Sequence, residues 1–133
     1  MFLGLIFELI CVGHCAITTS TTLIGQTFSA QAVKITKSSY TLEVERCTFS
    51  GCTLGSGQGA AIYSTGSINI VSSNFSFCKV SYSISGSVSG GAIFSQSTCT
   101  ITTSNFLNCS AVNTLGTAAT NQPYCYGGAV YIS

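Results

Sequence analysis

The stretch GAAIYSTGSINIVSSNFSFC at residues 59–78 recurs almost intact as GGAIFSQSTCTITTSNFLNC at residues 90–109, and it starts again as GGAVYIS at residues 127–133. Inside the two full copies the spacing is constant, because the block phenylalanine follows the block alanine by 14 positions in both. The segments between the blocks instead grow from 6 to 11 to 17 residues. A fixed cassette that alternates with a variable loop is typical of a repeat protein whose insertions leave from one edge.

An earlier and more degenerate copy is found at residues 33–52. Alignment on its phenylalanine, Phe49, places Leu42 and Val44 over Ile68 and Ile70 of the next cassette. The chain therefore contains about three and a half coils. Because residues 127–133 only begin another cassette, we expect the sequence to be a fragment of a longer repeat array.

The apolar residues within each cassette alternate with polar ones, which is the pattern of short, half-buried strands. No segment has the length and periodicity of an amphipathic helix, and the leucines are too few for a leucine-rich repeat. Three short strands per coil fit a parallel arrangement. The sequence predicts an all-β fold, a right-handed parallel β-helix of the pectate-lyase-like solenoid type.

Glycine pairs begin the cassettes, and aromatic residues recur at two positions in them. Gly90-Gly91 and Gly127-Gly128 are predicted to form corners with positive φ or close backbone approach. The aromatic residues are predicted to stack as core ladders. In the first strand of the cassette, however, the aliphatic positions (Ile62, Ile93 and Val130) and the neighbouring alanine and aromatic positions are all apolar, so the sequence leaves open which set faces inward. The two ladders consist of Tyr63, Phe94 and Tyr131, and of Phe49, Phe75 and Phe106.

The N-terminal segment MFLGLIFELICVGHC, residues 1–15, has the apolar character of a secretory signal peptide, with cleavage expected near Cys15 or Ala16. It lacks a preceding Lys or Arg and contains Glu8, so a membrane anchor and a buried first strand are the alternatives. We expect residues 16–32 to form a lead-in or cap strand and residues 33–133 to form the β-helix repeats. The mature chain is expected to have no membrane span.

Charged residues make up only 5% of the chain, and there is no Asp or Trp and a single His, His14. A nucleic-acid interface is excluded, because it needs several phosphate contacts from Lys and Arg. Glycoside hydrolysis needs two positioned carboxylates, and only Glu43 and Glu45, next to Arg46, follow the leader. We interpret these three residues as a solvated charge cluster. The sequence predicts no enzyme, no catalytic residue and no cofactor.

Six cysteines follow the leader, and an even number in a secreted chain favours disulfides. The sequence contains no CxxC pair to support a zinc site. Three of the cysteines are equivalent in the repeat. The spacing of stacked strands, about 4.8 Å, falls within the Cα range of a disulfide, but parallel Cβ vectors leave the Cβ atoms further apart than a relaxed bridge prefers. Stacked thiols and a bridge therefore both stay open for these three residues. The candidate disulfide cysteines are Cys47, Cys52, Cys78, Cys99, Cys109 and Cys125, without a selected connectivity.

The GGAIF and GGAVY blocks, each with its NF or TF segment, resemble the repeats of the polymorphic outer membrane proteins of chlamydiae, which also occur in surface proteins of some protists. The resemblance covers about residues 33–133. Here FxxC, as in Phe75 to Cys78, replaces the family's FxxN, Gly59-Ala60-Ala61 replaces GGA, and no barrel domain follows. The resemblance implies an extracellular, adhesin-like role, favours a protist surface protein, and carries over no catalytic residue.

The remaining candidate sites are on the surface. Asn74 and Asn108 begin N-glycosylation sequons, although Asn74 is also aligned with Asn105 as a stacked corner residue. Tyr124 and Tyr126 in the long loop are candidate partner contacts. We expect a secreted or cell-surface, structural or adhesin-like module that meets a host-cell or surface glycan or protein and self-associates through uncapped ends. The alternative is a degenerate carbohydrate-binding or polysaccharide-cleaving β-helix protein.

Overall fold

The computed structural model of the chain describes residues 14–30, 32–82, 86–114 and 125–133. Within these residues every regular element is a β-strand, and every strand pair is parallel. The expectation of an all-β chain with parallel sheets is confirmed.

The strands of the described residues form five sheets, and neighbouring strands within a sheet come from successive passages of the chain. Sheet 1 contains β1 (His14–Ile17), β4 (Ala32–Ile35), β8 (Ile62–Ser64), β13 (Ile93–Ser95) and β18 (Val130–Ile132). Sheet 2 contains β2 (Thr21–Ile24), β5 (Thr41–Glu45), β9 (Ser67–Val71) and β14 (Cys99–Thr102). Sheet 3 contains β3 (Thr27–Ser29), β6 (Thr48–Ser50), β10 (Asn74–Ser76) and β15 (Asn105–Leu107).

Two smaller sheets lie in the region of the variable loops. Sheet 4 contains β7 (Thr53–Leu54), β11 (Lys79–Tyr82) and β16 (Ser110–Asn113), and sheet 5 contains β12 (Val88–Ser89) and β17 (Cys125–Tyr126). We call one passage through the sheets a rung. Rung 1 covers 14–30, rung 2 covers 32–58, rung 3 covers 59–89 and rung 4 covers 90–126, each within its described residues, and 127–133 begin the next rung.

Rung 1 contributes a strand to each of sheets 1, 2 and 3, where the sequence predicted only a lead-in or cap strand. Its strands β1, β2 and β3 pair in register with β4, β5 and β6. Phe28 stands beside Phe49, with the same Thr-Phe-Ser triplet around both. The Thr-Phe-Ser triplet is the sequence signal for this rung. It is weak on its own, because rung 1 lacks the initial glycine and the final FxxC that identify the later copies. The cleavage site expected near Cys15 or Ala16 lies within β1, where Cys15 is fully buried.

In rung 2, Leu42 pairs with Ile68, as expected. Val33, where this copy begins, pairs with Ile62, three residues after Gly59, the first residue of the next cassette. Rung 2 therefore has a longer turn between its first two strands than rung 3. Turns tolerate such insertions, whereas a strand cannot shift by an odd number of residues without exchanging its two faces.

The core lies between the sheets, where aliphatic side chains and phenylalanines from successive rungs stack on their equivalents. Phe49 and Phe75 are the largest fully buried side chains. Together with Phe28 and Phe106 they form the inner aromatic ladder, with ring centroids 4.6, 4.8 and 4.8 Å apart. This spacing equals the distance between neighbouring strands, about 4.8 Å. The predicted ladder of Phe49, Phe75 and Phe106 is confirmed and extended by one residue.

Three corners with left-handed backbone repeat along the stack. The first includes Gly25, Arg46, Ser72 and Thr103, and the second includes Ala30, Gly51, Phe77 and Asn108. The third includes Gly59, Gly90 and Gly127, where an added Cβ would overlap the carbonyl oxygen three residues later. Only the third corner needs glycine for space as well as for φ. The predicted glycine corners at Gly90 and Gly127 are confirmed.

Candidate functional site

Glu43 and Glu45, the only carboxylate side chains among the described residues, lie on the outer face of sheet 2 and alternate with buried Leu42 and Val44. Asn69 donates a hydrogen bond from Nδ2 to Oε2 of Glu43 at 2.7 Å. Glu45 forms an ion pair with Arg46 at 2.7 Å, and the two side chains are 41% and 63% exposed. Both carboxylates therefore have partners on an open sheet face, which is the solvated cluster that the sequence indicated.

A groove of about 380 Å³ lies on the outer side of sheet 1, where β4 and β8 meet residues 54–59. Lys34 and Tyr63 are paired across the two strands and both line it. Lys34 is the only charged residue in the lining. The sequence analysis did not identify Lys34 as a groove residue, because its pairing with Tyr63 depends on the length of the turn after β4. No motif signals the groove, since it forms only when residues 54–59 fold over the sheet.

The outer aromatic ladder consists of Tyr63, Phe94 and Tyr131 on the same face of sheet 1. Its ring centroids are 5.3 and 5.6 Å apart. The ladder forms as predicted, but it does not face the core, because Ile62 and Ile93 next to it point inward. Successive strand residues point to opposite faces, so the question that the sequence left open is decided in favour of the isoleucines.

Both faces of the Tyr63 ring are in contact with other side chains. Phe94 stacks on one side, and Nζ of Lys34 lies 5.1 Å from the ring centroid on the neighbouring rung. A sugar ring that stacked on Tyr63 would have to displace Lys34. Tyr126 is 41% exposed and contacts Tyr131 at 5.4 Å between ring centroids. The candidate contact Tyr124 lies outside the described residues.

The six candidate disulfide cysteines are thiols in this structure, so the expected disulfides among them are not formed. Cys52, Cys78 and Cys109 follow the second corner in successive rungs and form a thiol ladder, in which Cys78 is hydrogen-bonded to both of the others. Stacked strands keep the Cβ vectors of these cysteines parallel, which disfavours a disulfide because the Cβ atoms are then further apart than a relaxed bridge prefers. The sequence analysis gave the same geometric reason. Cys47 stands at a different corner, Cys99 is in β14, and Cys125 is exposed.

The thiol ladder has a structural role at its corner. Sγ of Cys109 lies 3.5 and 3.6 Å from the carbonyl oxygens of Phe75 and Leu107, and its single S–H can donate to either of them. Serine does the same at the first corner, where Oγ of Ser73 donates to the carbonyl oxygen of Val71 at 3.0 Å. A side-chain donor that bonds the carbonyl two residues earlier stabilises a tight turn. These cysteines therefore act as corner residues, as serine does elsewhere.

Two thiols of the ladder, Cys78 and Cys109, resist ionisation. The hydrogen bond with Cys109 lowers the pKa of Cys78, but the bond with Cys52 and burial outweigh it and raise this pKa to about 11. The hydrogen bond with Cys78, and then burial, raise the pKa of Cys109. Burial also raises the pKa values of Cys47 and Cys99. Because the thiolate is the reactive form, these four residues are poor nucleophiles at neutral pH.

The two sequon asparagines have different surroundings. Asn74 is the first residue of β10 and is exposed. Its Oδ1 accepts a hydrogen bond from Nδ2 of Asn105 at 3.0 Å. Asn74 thus forms the stacked pair that its alignment with Asn105 indicated. Asn108 is exposed at the second corner, with φ 52°. Of these two side chains, Asn74 is part of a side-chain ladder and Asn108 projects from a turn.

The described residues contain no cluster of three or more His, Cys, Asp or Glu side chains arranged to hold a metal ion. In the same part of the chain, no helix has the length and apolar character needed to cross a membrane. Comparisons with protein-family models, with curated proteins and with solved structures find no match to the chain. Its function must be inferred from the arrangement of its own residues.

Proposed function

We propose that the chain is a non-enzymatic, secreted or cell-surface repeat module with a structural or adhesin-like role. The observation that carries the proposal is the alignment of equivalent residues through successive rungs. Phe28, Phe49, Phe75 and Phe106 stand in one continuous line, and each strand of sheets 1–3 pairs with its counterpart in the next rung. A stack of this kind forms an extended, rigid body whose outer surfaces are available for contact.

The arrangement supports a right-handed parallel β-helix as the finer description of the fold. Strands of three sheets recur in the same order in each rung, and connections between parallel strands are right-handed in nearly all proteins. The resemblance to polymorphic outer membrane protein repeats supports the same geometry and the extracellular location. A three-dimensional reconstruction or crystal structure that showed left-handed winding would contradict this part of the proposal.

The chemistry of the surface supports a non-enzymatic role. Glu43 is hydrogen-bonded to Asn69 and Glu45 is paired with Arg46, on an open face of sheet 2 and outside the groove lining. Two catalytic carboxylates must flank the bond that they cleave, with a substrate held between them. Here they follow one another along a single strand and both point out of the same sheet face.

The test of this proposal has two parts. The full chain, with an epitope tag, is expressed in a eukaryotic host, and we expect the tag in the medium or on intact cells. Purified chain is then incubated with acidic and neutral polysaccharides, and we expect no new reducing or unsaturated ends. Turnover that disappears in Glu43→Gln or Glu45→Gln, but persists in the nearby Lys37→Gln control, would show that the chain is an enzyme.

A second candidate function is carbohydrate binding in the groove between β4 and residues 54–59. The observation in its favour is a concave volume of about 380 Å³ with Lys34 as its only charged lining residue. Such a site would favour an acidic sugar. Glycan-array binding that is lost in Lys34→Ala and in Tyr63→Ala, but retained in Lys79→Ala on sheet 4, would establish it. Retention of binding in all three variants would place the contact elsewhere.

A further inference from the structure

The second corner brings the sequon residue Asn108 next to an exposed aromatic ring. Ser76 pairs with Leu107 and Lys79 pairs with Ser110, so Phe77 and Asn108 occupy the same position in neighbouring rungs. Strands in a sheet are about 4.8 Å apart. Phe77 is 57% exposed, Asn108 is also exposed, and their φ angles are 55° and 52°.

Phenylalanine is a poor choice at this position by ordinary folding criteria. The backbone is left-handed, which favours glycine or asparagine, and the equivalent residues in rungs 1 and 2 are Ala30 and Gly51. Phe77 does not gain burial in return. Leu107, directly before Asn108, is 58% exposed as well. Phe77 is therefore exposed apolar surface next to a sequon, where an attached sugar would cover it.

We propose that Asn108 carries an N-linked glycan and that the first N-acetylglucosamine of this glycan packs on the ring of Phe77. The inference rests on the secreted location in the proposed function. The C–H face of a pyranose ring can cover an aromatic ring and remove it from water. At this corner Asn108 and Phe77 occupy equivalent positions in neighbouring rungs, and both side chains are exposed.

The chemistry is that of ordinary glycan transfer in the secretory pathway. Nδ2 of Asn108 attacks C1 of the first sugar of a polyprenyl-pyrophosphate oligosaccharide and loses one proton. The bond between C1 and the pyrophosphate oxygen breaks, and the lipid pyrophosphate leaves. The residues that follow Asn108 complete the sequon, with Cys109 turned towards the carbonyl of Phe75 and Ser110 at the start of β16.

Asn74, the other sequon residue, lacks this environment. It lies in β10 between β6 and β15, and its side chain is hydrogen-bonded to Asn105 on the neighbouring rung. The middle residue of its sequon, Phe75, is fully within the core. A glycan at Asn74 would stand in the middle of sheet 3 and would have no exposed aromatic ring at the equivalent of Phe77. The structure therefore assigns the glycan to Asn108.

The experiment is site-resolved mass spectrometry of the full chain made in a eukaryotic host, once with its own N-terminus and once behind an established leader. We expect a glycan on Asn108 that is lost in Asn108→Gln and Ser110→Ala and kept in Asn74→Gln. A glycan on Asn74 alone, or unmodified Asn108 in chain that has entered the secretory pathway, overturns the inference. If only the version with the established leader is exported, the failure belongs to the proposed location and the occupancy of Asn108 is still measured.

A second measurement tests the contact with Phe77. Enzymatic removal of the glycan should lower the melting temperature of the unsubstituted chain by about 2–6 °C. In Phe77→Ala the same treatment should cause little change, whereas in Ile24→Ala, which removes another exposed side chain far from Asn108, the full shift should remain. An equal shift in the unsubstituted chain and in Phe77→Ala would show that the glycan does not pack on this ring.

Discussion

The molecule has two aromatic ladders, one inside and one outside, and they differ in how tightly they are held. In the inner ladder the rings of Phe49 and Phe75 are 4.8 Å apart and tilted by 2°. In the outer ladder the rings of Phe94 and Tyr131 are 5.6 Å apart and tilted by 23°. The rings of Phe49 and Phe75 are fully buried among core side chains, so they take the spacing of the strands. Tyr63 and Tyr131 in the outer ladder are only partly buried, so fewer side chains fix the positions of their rings.

The two ladders also end differently. The inner ladder continues to Phe28 in rung 1, whereas the outer ladder reaches Lys34 in rung 2, whose ammonium group lies over the Tyr63 ring. A charged group in the core would lose its hydration without compensation. The lysine therefore identifies this position as outward-facing. Regular spacing in the sequence indicates that equivalent residues stack. The residue of a different type, here Lys34, shows whether the stack faces the core or the solvent.

The inner ladder should be the most sensitive part of the molecule. Phe75→Ala removes a fully buried ring between two others, and we expect a loss of about 3–5 kcal/mol in the free energy of unfolding. Equilibrium unfolding in urea, followed by circular dichroism, measures it. Phe75→Leu is the control and should cost clearly less. A loss in Phe75→Ala below about 1 kcal/mol would contradict the assignment of this ladder to the core.

The third corner precedes the strands of sheet 1 that carry the outer ladder, and Gly90 should be nearly as sensitive as the inner ladder. In Gly90→Ala the new Cβ meets the carbonyl oxygen of Ile93 and the residue keeps φ near 60°, so we expect a loss of about 3 kcal/mol. Gly51→Ala has a similar φ but open space around the Cβ, and Ala30 already occupies the equivalent place. It should change stability by less than about 1 kcal/mol. Equal effects in thermal unfolding would rule out the steric explanation.

The outer ladder should respond less than the inner one to the same substitution. Phe94 is only 2% exposed, but Tyr63 and Tyr131 cover it and no closed core surrounds it. Phe94→Ala therefore loses burial without leaving a closed cavity, and we expect about 2 kcal/mol in urea unfolding. If Phe94→Ala were as costly as Phe75→Ala, the two ladders would be equivalent and the comparison between them would fail.

The thiol ladder at the second corner predicts a decrease in stability at alkaline pH. The pKa of Cys78 is raised from 9.0 to about 11, so the unfolded chain releases its proton first as the pH increases. The stabilisation is complete below pH 9 and is lost progressively between pH 9 and 11, by up to about 2 kcal/mol. Urea unfolding across this range should show a smaller decrease in Cys78→Ser than in the control Cys125→Ser, which changes an exposed thiol. An identical decrease in both variants would contradict it.

The lysine at the end of the outer ladder should contribute least. Its ammonium group is solvent-exposed and 5.1 Å from the Tyr63 centroid, so Lys34→Met should change the free energy of unfolding by less than about 1 kcal/mol. The same variant distinguishes stability from binding, because it removes the only charge from the groove lining. A large loss of stability would mean that Lys34 supports the fold, and then the groove assay would need a different variant.

Much of the repeat could be predicted because it depends on local rules. The pairing of Leu42 with Ile68 and the positive φ of Gly90 follow from alternation and from the special freedom of glycine. The pairing of Val33 with Ile62, the three strands of rung 1 and the groove beside Lys34 did not follow. Each depends on a turn or loop whose length carries no periodic signal. Their positions are set by contacts between residues far apart in the chain.

By itself, the sequence determined which residues are equivalent, because a chain that repeats the same pattern can bury each copy only by stacking it on the next. The sequence also determined that the surface is nearly free of charge after Lys79, since no Asp, Glu, Lys or Arg follows it. The tertiary structure alone decided which aromatic ladder faces inward, that the corner cysteines remain thiols, and that Asn108 stands beside an exposed Phe77. These features depend on the direction of side chains in neighbouring rungs, and the direction follows from the register and the closure of the turns.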